Sequence, residues 1–176
     1  MPPGDRIVEF YSGGRDSAGR RLDEILSWSD DQLEAVHDYI QWVFPTRQPS
    51  GVNPFAPLVT DATARAFAAD PALRGRFRAA LDRMLAFYGL VRRAGRIEID
   101  PERFTSRAPN WLHAGNHNHL RLTRIVDSLA QLGLRDEADA LRRCLVEDVV
   151  PVAGNRVSAR TREFWRTSGV TPSSAP

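Results

Sequence analysis

Apolar residues recur at helical spacing along most of this chain, and that periodicity limits the fold more than any other feature of the sequence. The clearest case is the stretch 33–45, which is crowded with aromatic side chains. Ser29 and Gln32 form a capping box before it, and Pro45 stops it. Its apolar stripe consists of Leu33, Val36, Ile40 and Val43. We therefore expect one buried amphipathic helix between Ser29 and Pro45.

Other segments carry the same helical signals, each marked by a capping residue at its start or by a glycine or proline at its end. They are about 60–69, Asp70–Gly89, Asn116–Gly133, Leu134–Pro151 and a short helix from Ser158. Residues 90–112 are the least helical part and predict a small hairpin or an irregular loop. The predicted fold class is all-α, a single compact helical domain of about six helices with a loop-rich segment near residues 90–112.

Three segments are expected to lie outside the helices. Residues 1–7 are predicted to form a loose N-terminal arm, residues 8–168 the helical domain, and residues 169–176 a disordered tail. The connector 45–58 contains four prolines, and we expect it to be ordered because apolar side chains can anchor it. Those anchors are Val52, Phe55 and Leu58.

Composition excludes several classes of protein. All 24 basic residues are arginine, yet the net charge is only +2 and no basic tail exists, so no nucleic-acid partner is predicted. The single cysteine, Cys144, cannot form an intrachain disulfide and reads as a small core residue. No apolar stretch is long enough to span a bilayer. We therefore expect a soluble, cytoplasmic protein whose membrane association, where it occurs, is peripheral or through a partner.

Several separated motifs, in the same order along the chain, carry a family resemblance. They are Phe10-Tyr11, Trp28, His37–Pro45, Met84–Gly89 and His117–Leu134. Over about residues 8–150 the chain resembles the opioid growth factor receptor conserved region. The resemblance implies a receptor that binds an enkephalin peptide and, in animals, is associated with membranes and the nucleus. The chain departs from animal members by its compact, arginine-only form and by having no nuclear-localisation cluster, and we expect a microbial member.

All four histidines lie in or near these motifs. His37 falls on the apolar side of its predicted helix, which favours a core histidine satisfied by one hydrogen bond. His113, His117 and His119 form a His-x3-His-x-His cluster that is a weak candidate for zinc. Gly115 interrupts the spacing and no carboxylate lies nearby in sequence, so neither a metal nor another cofactor is predicted.

The start of the helix after Asn116 is a candidate anion site. Opening amides of a helix carry unpaired N–H groups and the positive end of the dipole, and Arg121 follows on the same face as His117. The alternative is that Asn116 caps the helix and that the neighbouring aromatic residues are simply core. The predicted ligand-binding residues are Trp42, Trp111, His117, Asn118 and Arg121.

The leading functional hypothesis is a non-enzymatic ligand- or peptide-binding domain with a groove between the Trp42 helix and the His117 helix. Its partner would be a small molecule or peptide, with an anionic group as the expected chemistry. One alternative is a small-molecule enzyme that uses histidine acid–base chemistry in a helical pocket; its catalytic residues are not assigned. Another is a protein-interaction module, which a contiguous exposed apolar patch would mark.

Overall fold

The computed structural model describes residues 5–170, and its backbone groups into two compact units. The first unit comprises the chain up to Phe87 together with Gln131–Gly133, and the second comprises Tyr88–Ala130 and the chain from Leu134 onward. Helices make up most of both units, as predicted, but a two-stranded hairpin means that the fold is mostly helical rather than strictly all-α.

The first unit contains five short helices and most of one long one. They are α1 (Arg6–Tyr11), α2 (Leu22–Leu26), α3 (Asp30–Ala35), α4 (Ile40–Val43), α5 (Asp61–Ala69) and α6 (Pro71–Tyr88). The predicted capping box is present, because the Ser29 hydroxyl accepts from the Gln32 amide and the Gln32 side chain accepts from the Ser29 amide. The predicted start of α6 is also confirmed, since Asp70 accepts from the Ala72 amide at 2.8 Å.

Aromatic rings dominate the core of the first unit. Tyr11 packs edge-on against Phe67 at 5.2 Å and against Phe77 at 5.7 Å between ring centroids. The Tyr11 hydroxyl donates to the Val43 carbonyl at 2.5 Å, so the buried phenol has a partner. Such ring pairs contribute roughly 0.5–1.5 kcal/mol each beyond the area they bury. Tyr11, near the start of the chain, therefore fixes α1 against α5 and α6.

The second unit begins at the end of α6 and contains the hairpin. Its elements are β1 (Leu90–Arg93), β2 (Arg96–Ile99), α7 (Phe104–Trp111), α8 (Asn118–Gln131), α9 (Arg135–Arg143), a π-helix (Cys144–Val149), α10 (Val150–Ala153), a 3₁₀ turn (Gly154–Arg156) and α11 (Ala159–Thr167). The strands pair antiparallel, with Leu90 opposite Ile99. Ser158 caps α11 through the Thr161 amide, as the sequence predicted.

The helix predicted between Ser29 and Pro45 is not continuous, and that prediction was wrong. Val36 adopts an extended backbone (φ −94°, ψ 131°), which separates α3 from α4. The Tyr39 hydroxyl reaches back to the Leu33 carbonyl at 3.1 Å, a tertiary contact that replaces helical hydrogen bonds. His37 lies in the break and is exposed, so the prediction of a core histidine is also corrected.

Two helix boundaries in the second unit differ from prediction. The segment expected to be loop-rich does form the hairpin, but Phe104–Trp111 is helical despite Pro109 inside it. Pro151 does not stop the helix after Leu134. It lies in the opening turn of α10, where the N–H that proline lacks would have no partner within the helix. Between α9 and α10 the chain forms the π-helix, which no sequence pattern predicted.

The connector and the chain ends also differ from expectation. The side chains of Val52, Phe55 and Leu58 are 75%, 81% and 43% exposed, so they do not anchor the connector. Polar contacts order it instead: Ser50 Oγ accepts from the Val52 amide at 3.2 Å and the Asn53 amide at 3.3 Å. Residues 5–7, expected in the loose arm, are the cap and first turn of α1. Most of the tail predicted at 169–176, from residue 171, lies outside the described residues.

Candidate functional site

The start of α8 rests on a buried polar network within the second unit. Asn118 has an exposed fraction of 0% and Arg121 of 5%. Asn118 Oδ1 lies 3.3 Å from the Tyr88 hydroxyl and 3.4 Å from Arg121 Nη1, both of which donate to it. Trp111 Nε1 donates to the Tyr88 carbonyl at 3.1 Å. Buried polar groups cost several kcal/mol when unpaired, so this network holds Tyr88, α7 and the start of α8 in one arrangement.

His119 extends the network to the C-terminal helix. Its Nε2 lies 3.0 Å from the Trp111 carbonyl, and since a carbonyl only accepts, Nε2 carries the proton. The His119 carbonyl in turn accepts from Trp165 Nε1 at 3.3 Å. The imidazole packs edge-on against the Trp165 ring at 5.5 Å between centroids. His119 is therefore a structural residue between α7, α8 and α11.

The surroundings of His119 disfavour its charged form. Burial lowers the pKa of His119, and the positive charges of His113 and His117 lower it further, against the hydrogen bond to the Trp111 carbonyl, which raises it. His119 is therefore held as a neutral imidazole near neutral pH, in keeping with its donor role through Nε2.

Above this network, His117 is exposed at the very start of α8. Its backbone carbonyl accepts from the Arg121 amide at 3.3 Å, so the exposed imidazole and the buried guanidinium lie one helical turn apart. Asn116 is the cap, because its side chain accepts from the Asn118 amide at 2.8 Å. The first four amides of the helix all have partners, which removes the unpaired N–H groups that an anion would use.

The predicted site residues fall in both units. Trp111, His117, Asn118 and Arg121 all belong to the second unit, where Asn118 contacts Arg121 directly. Trp42 belongs to the first unit, where it is buried against Phe10 and carries the Arg6 guanidinium over its ring at 4.8 Å. The two-walled groove expected between the Trp42 and His117 helices stays a prediction.

The sequence reading missed two members of the network. Tyr88 and Trp165 are not among the predicted site residues, although the hydroxyl of Tyr88 and the indole N–H of Trp165 donate hydrogen bonds to α8. The available signal was chemical: a buried tyrosine or tryptophan needs a polar partner, and the polar residues 116–121 were the nearest unassigned acceptors.

The histidine cluster does not assemble a metal site. Within residues 5–170, no group of three or more His, Cys, Asp or Glu side chains is placed to hold a metal ion. His119 is turned inward to Trp111, whereas His113 is exposed and its Nε2 lies 2.9 Å from the Asn116 side chain. Two of the three nitrogens needed for zinc are thus engaged in other contacts.

The second unit of this mostly helical protein thus contains a buried polar network at the start of one helix. The model of the opioid growth factor receptor conserved region matches residues 8–166. The opioid growth factor receptor of rat is 39% identical over 137 residues, covering 75% of this chain and 23% of that protein. The human receptor is 36% identical over 138 residues, covering 73% of this chain and 20% of that protein.

The chain belongs to the opioid growth factor receptor conserved-region family, as the sequence motifs indicated. Opioid growth factor receptor-like protein 1 of mouse is also similar, at 34% identity over 147 residues, which cover 76% of this chain and 30% of that protein. The chain thus spans about a quarter of the length of these relatives. No solved structure matches it. The expectation of a microbial source stays a prediction.

A helix that spans a bilayer needs about 20 predominantly apolar residues. No helix within residues 5–170 is both long enough and apolar enough to cross one.

Proposed function

We infer that this protein is a ligand- or peptide-binding domain whose recognition surface is the exposed start of α8 around His117. The observation that carries the proposal is the network of Tyr88, Asn118 and Arg121, which is buried and hydrogen-bonded in the first turn of α8, and the exposed His117 immediately precedes that turn. Binding sites of this kind depend on side chains whose positions are fixed by buried hydrogen bonds. Family membership supports the same reading, because relatives carry the name of a receptor for opioid growth factor.

The chemistry of the ligand follows from the residues at that surface. His117 is exposed, and an imidazole can donate to a carboxylate or accept from an N–H group. The carboxylate of a short peptide therefore suits this surface. Trp111 and Asn118 hold the surface in place from below.

The test is a titration of a fluorescent enkephalin peptide, followed by anisotropy. His117→Ala should weaken binding at least tenfold without changing the melting temperature, because the side chain is exposed. His113→Ala is the matched control, since His113 is an exposed histidine four residues earlier, and it should bind as the parent does. Arg121→Ala should lose both binding and stability, whereas Arg121→Lys should retain the stability.

Equal affinity in the parent and the His117→Ala protein would contradict the site. The peptide-binding proposal itself would be contradicted if the parent protein bound neither enkephalin nor any member of a panel of acidic and basic pentapeptides.

A second candidate function, a protein-interaction module, is favoured by one observation. Val52 and Phe55 are exposed in a connector whose backbone is ordered, with the Ala56 amide bonded to the Asn53 carbonyl at 3.2 Å. A rigid loop that presents a phenyl ring suits an apolar pocket on a protein partner. In this case Phe55→Ala, and not His117→Ala, would abolish binding to any partner that copurifies with the parent protein.

A further inference from the structure

A small open pocket lies in the second unit, away from the start of α8. Strand β2, helix α9 and the π-helix form its walls, and all three pack against one another. Its volume is about 50 Å³, and its rim is open to solvent. The site stands on regular elements rather than on loops, so its shape is fixed by the same packing that holds the unit together.

The rim of this pocket carries two charges of each sign. Arg96 comes from β2 and Arg143 from the end of α9, while Glu147 and Asp148 come from the π-helix. Within the described residues, no ion pair joins any of these four side chains to another charged group, although Asp148 accepts a hydrogen bond from the buried Cys144 thiol.

The two acidic side chains belong to the π-helix, whereas Arg143 ends the α-helix before it. Arg143 and Glu147 are four residues apart, a spacing at which opposite charges commonly pair on an α-helix. Arg142 and Asp139, on the preceding turn, do pair at 3.2 Å. The π-helix replaces regular α-helical geometry from Cys144 onward, and such segments occur frequently at functional sites.

The floor of the pocket is apolar. Ile97, Ala140 and Cys144 line it, and all three are buried. An occupant that pairs with both signs at the rim and covers this floor needs a carboxylate, an ammonium group and a short apolar part. Arginine binds a carboxylate through two parallel N–H groups, and the glutamate and aspartate accept from an ammonium.

We propose that this pocket binds a small zwitterion of the class of free amino acids with a short apolar side chain. The carboxylate lies between Arg96 and Arg143, and the ammonium group lies against Glu147. The small volume excludes large side chains. A peptide terminus carries only one of the two charges at one end, so it would leave half of the rim uncompensated. This site is independent of the surface around His117.

The first arm of the test compares ligands that differ by one charge. L-Alanine and L-valine are titrated into the protein at millimolar concentration and followed by NMR chemical shifts, beside N-acetyl-L-alanine and L-alaninamide. The free amino acids should bind at least tenfold more tightly than either derivative, because each derivative lacks one ion pair. Equal binding of a derivative, or no shift with any free amino acid, would overturn the proposal.

The second arm uses variants with matched controls on the same helix. Arg143→Gln and Glu147→Gln should each weaken alanine binding about tenfold with unchanged melting temperature, since both side chains are exposed. Arg135→Gln and Asp136→Asn remove one exposed charge of each sign from the opening turn of α9, away from the pocket, and should leave binding unchanged. Equal affinity in all four variants would contradict the site.

The third arm locates the ligand. Amide shifts in ¹⁵N-labelled protein locate it, because the lining residues come from β2, α9 and the π-helix. Saturating alanine should shift the amides of residues 96–97 and 140–148 in the parent protein and should not shift them in Arg143→Gln. Shifts confined to other residues would overturn the proposal.

Discussion

His119 is the residue whose chemistry most directly ties the fold to pH. Its folded-state pKa is lowered, chiefly by burial, so the folded protein takes up a proton there less readily than the unfolded chain does. The stability that the neutral imidazole contributes is complete above the unfolded value of about 6.5 and is lost as pH falls through the folded pKa.

We expect the free energy of urea unfolding to decrease below about pH 6.5, by no more than about 1.4 kcal/mol per pH unit for this one group. His119→Gln keeps an amide donor for the Trp111 carbonyl without titrating, and should flatten that slope. His37→Gln alters an exposed histidine and is the control, which should keep the parent slope. An unchanged slope in His119→Gln would contradict the assignment.

Two of the buried tryptophans, Trp42 and Trp111, allow the contribution of an indole hydrogen bond to stability to be measured. Trp111 Nε1 donates to the Tyr88 carbonyl at 3.1 Å, whereas Trp42 Nε1 is buried and has no hydrogen-bond partner among the described residues. Replacing either by phenylalanine loses similar ring volume, but only Trp111→Phe breaks a hydrogen bond. We expect Trp111→Phe to lower the free energy of unfolding by about 1 kcal/mol more than Trp42→Phe. Equal losses would show that the bond contributes nothing.

At the scale of the elements, Gly89 ends α6 and lets the chain turn into the hairpin. Its φ is +76°, and a Cβ there would lie 2.7 Å from the Phe104 backbone, so both conformation and close approach require glycine. Gly95, in the turn of the hairpin, has φ +75° but open space around it.

Alanine variants at these two glycines separate the cost of a left-handed backbone conformation from the cost of a steric clash. Gly95→Ala should cost about 1 kcal/mol in the free energy of unfolding, from the left-handed backbone alone. Gly89→Ala should cost about 1–3 kcal/mol more, because α7 must move to admit the methyl group. Thermal and urea unfolding of both variants measure the difference, and equal costs would contradict the close approach seen in the structure.

The elements also show what the sequence could predict. Caps were predicted reliably because the signal is local: Ser29, Asp70 and Ser158 all accept from the amides expected of them. The break at Val36 was not predicted, because the local apolar spacing is helical and the Tyr39 hydroxyl bonds instead to the Leu33 carbonyl. The folded context commonly overrides local helix propensity in this way.

For the candidate site, the sequence identified the right segment but not the roles within it. Polar residues near Asn116 predicted a capped helix start, which the structure contains. Spacing could not say that His119 points inward while His117 is exposed, because that depends on how α8 is rotated against Trp111 and Trp165. The sequence pattern did not predict the pocket beside the π-helix, because its lining residues come from three separate elements.

At the scale of the whole molecule, buried and exposed rings define which surfaces hold the fold and which are available to partners. Phe77 is fully buried among aromatic neighbours, whereas Phe55 is 81% exposed. Phe77→Ala should cost about 3–5 kcal/mol in the free energy of unfolding, and Phe55→Ala should change it by less than about 0.5 kcal/mol. A large loss in Phe55→Ala would mean that the connector packs more tightly than its exposure indicates.

We expect ligands to bind this family member at the start of α8. Titration of an ¹⁵N-labelled sample with enkephalin peptide, followed amide by amide, tests this expectation. Shifts should cluster at residues 116–121 and vanish in His117→Ala. Shifts confined to residues 46–58 would instead support a protein-interaction module, and shifts at neither place would contradict binding at either surface.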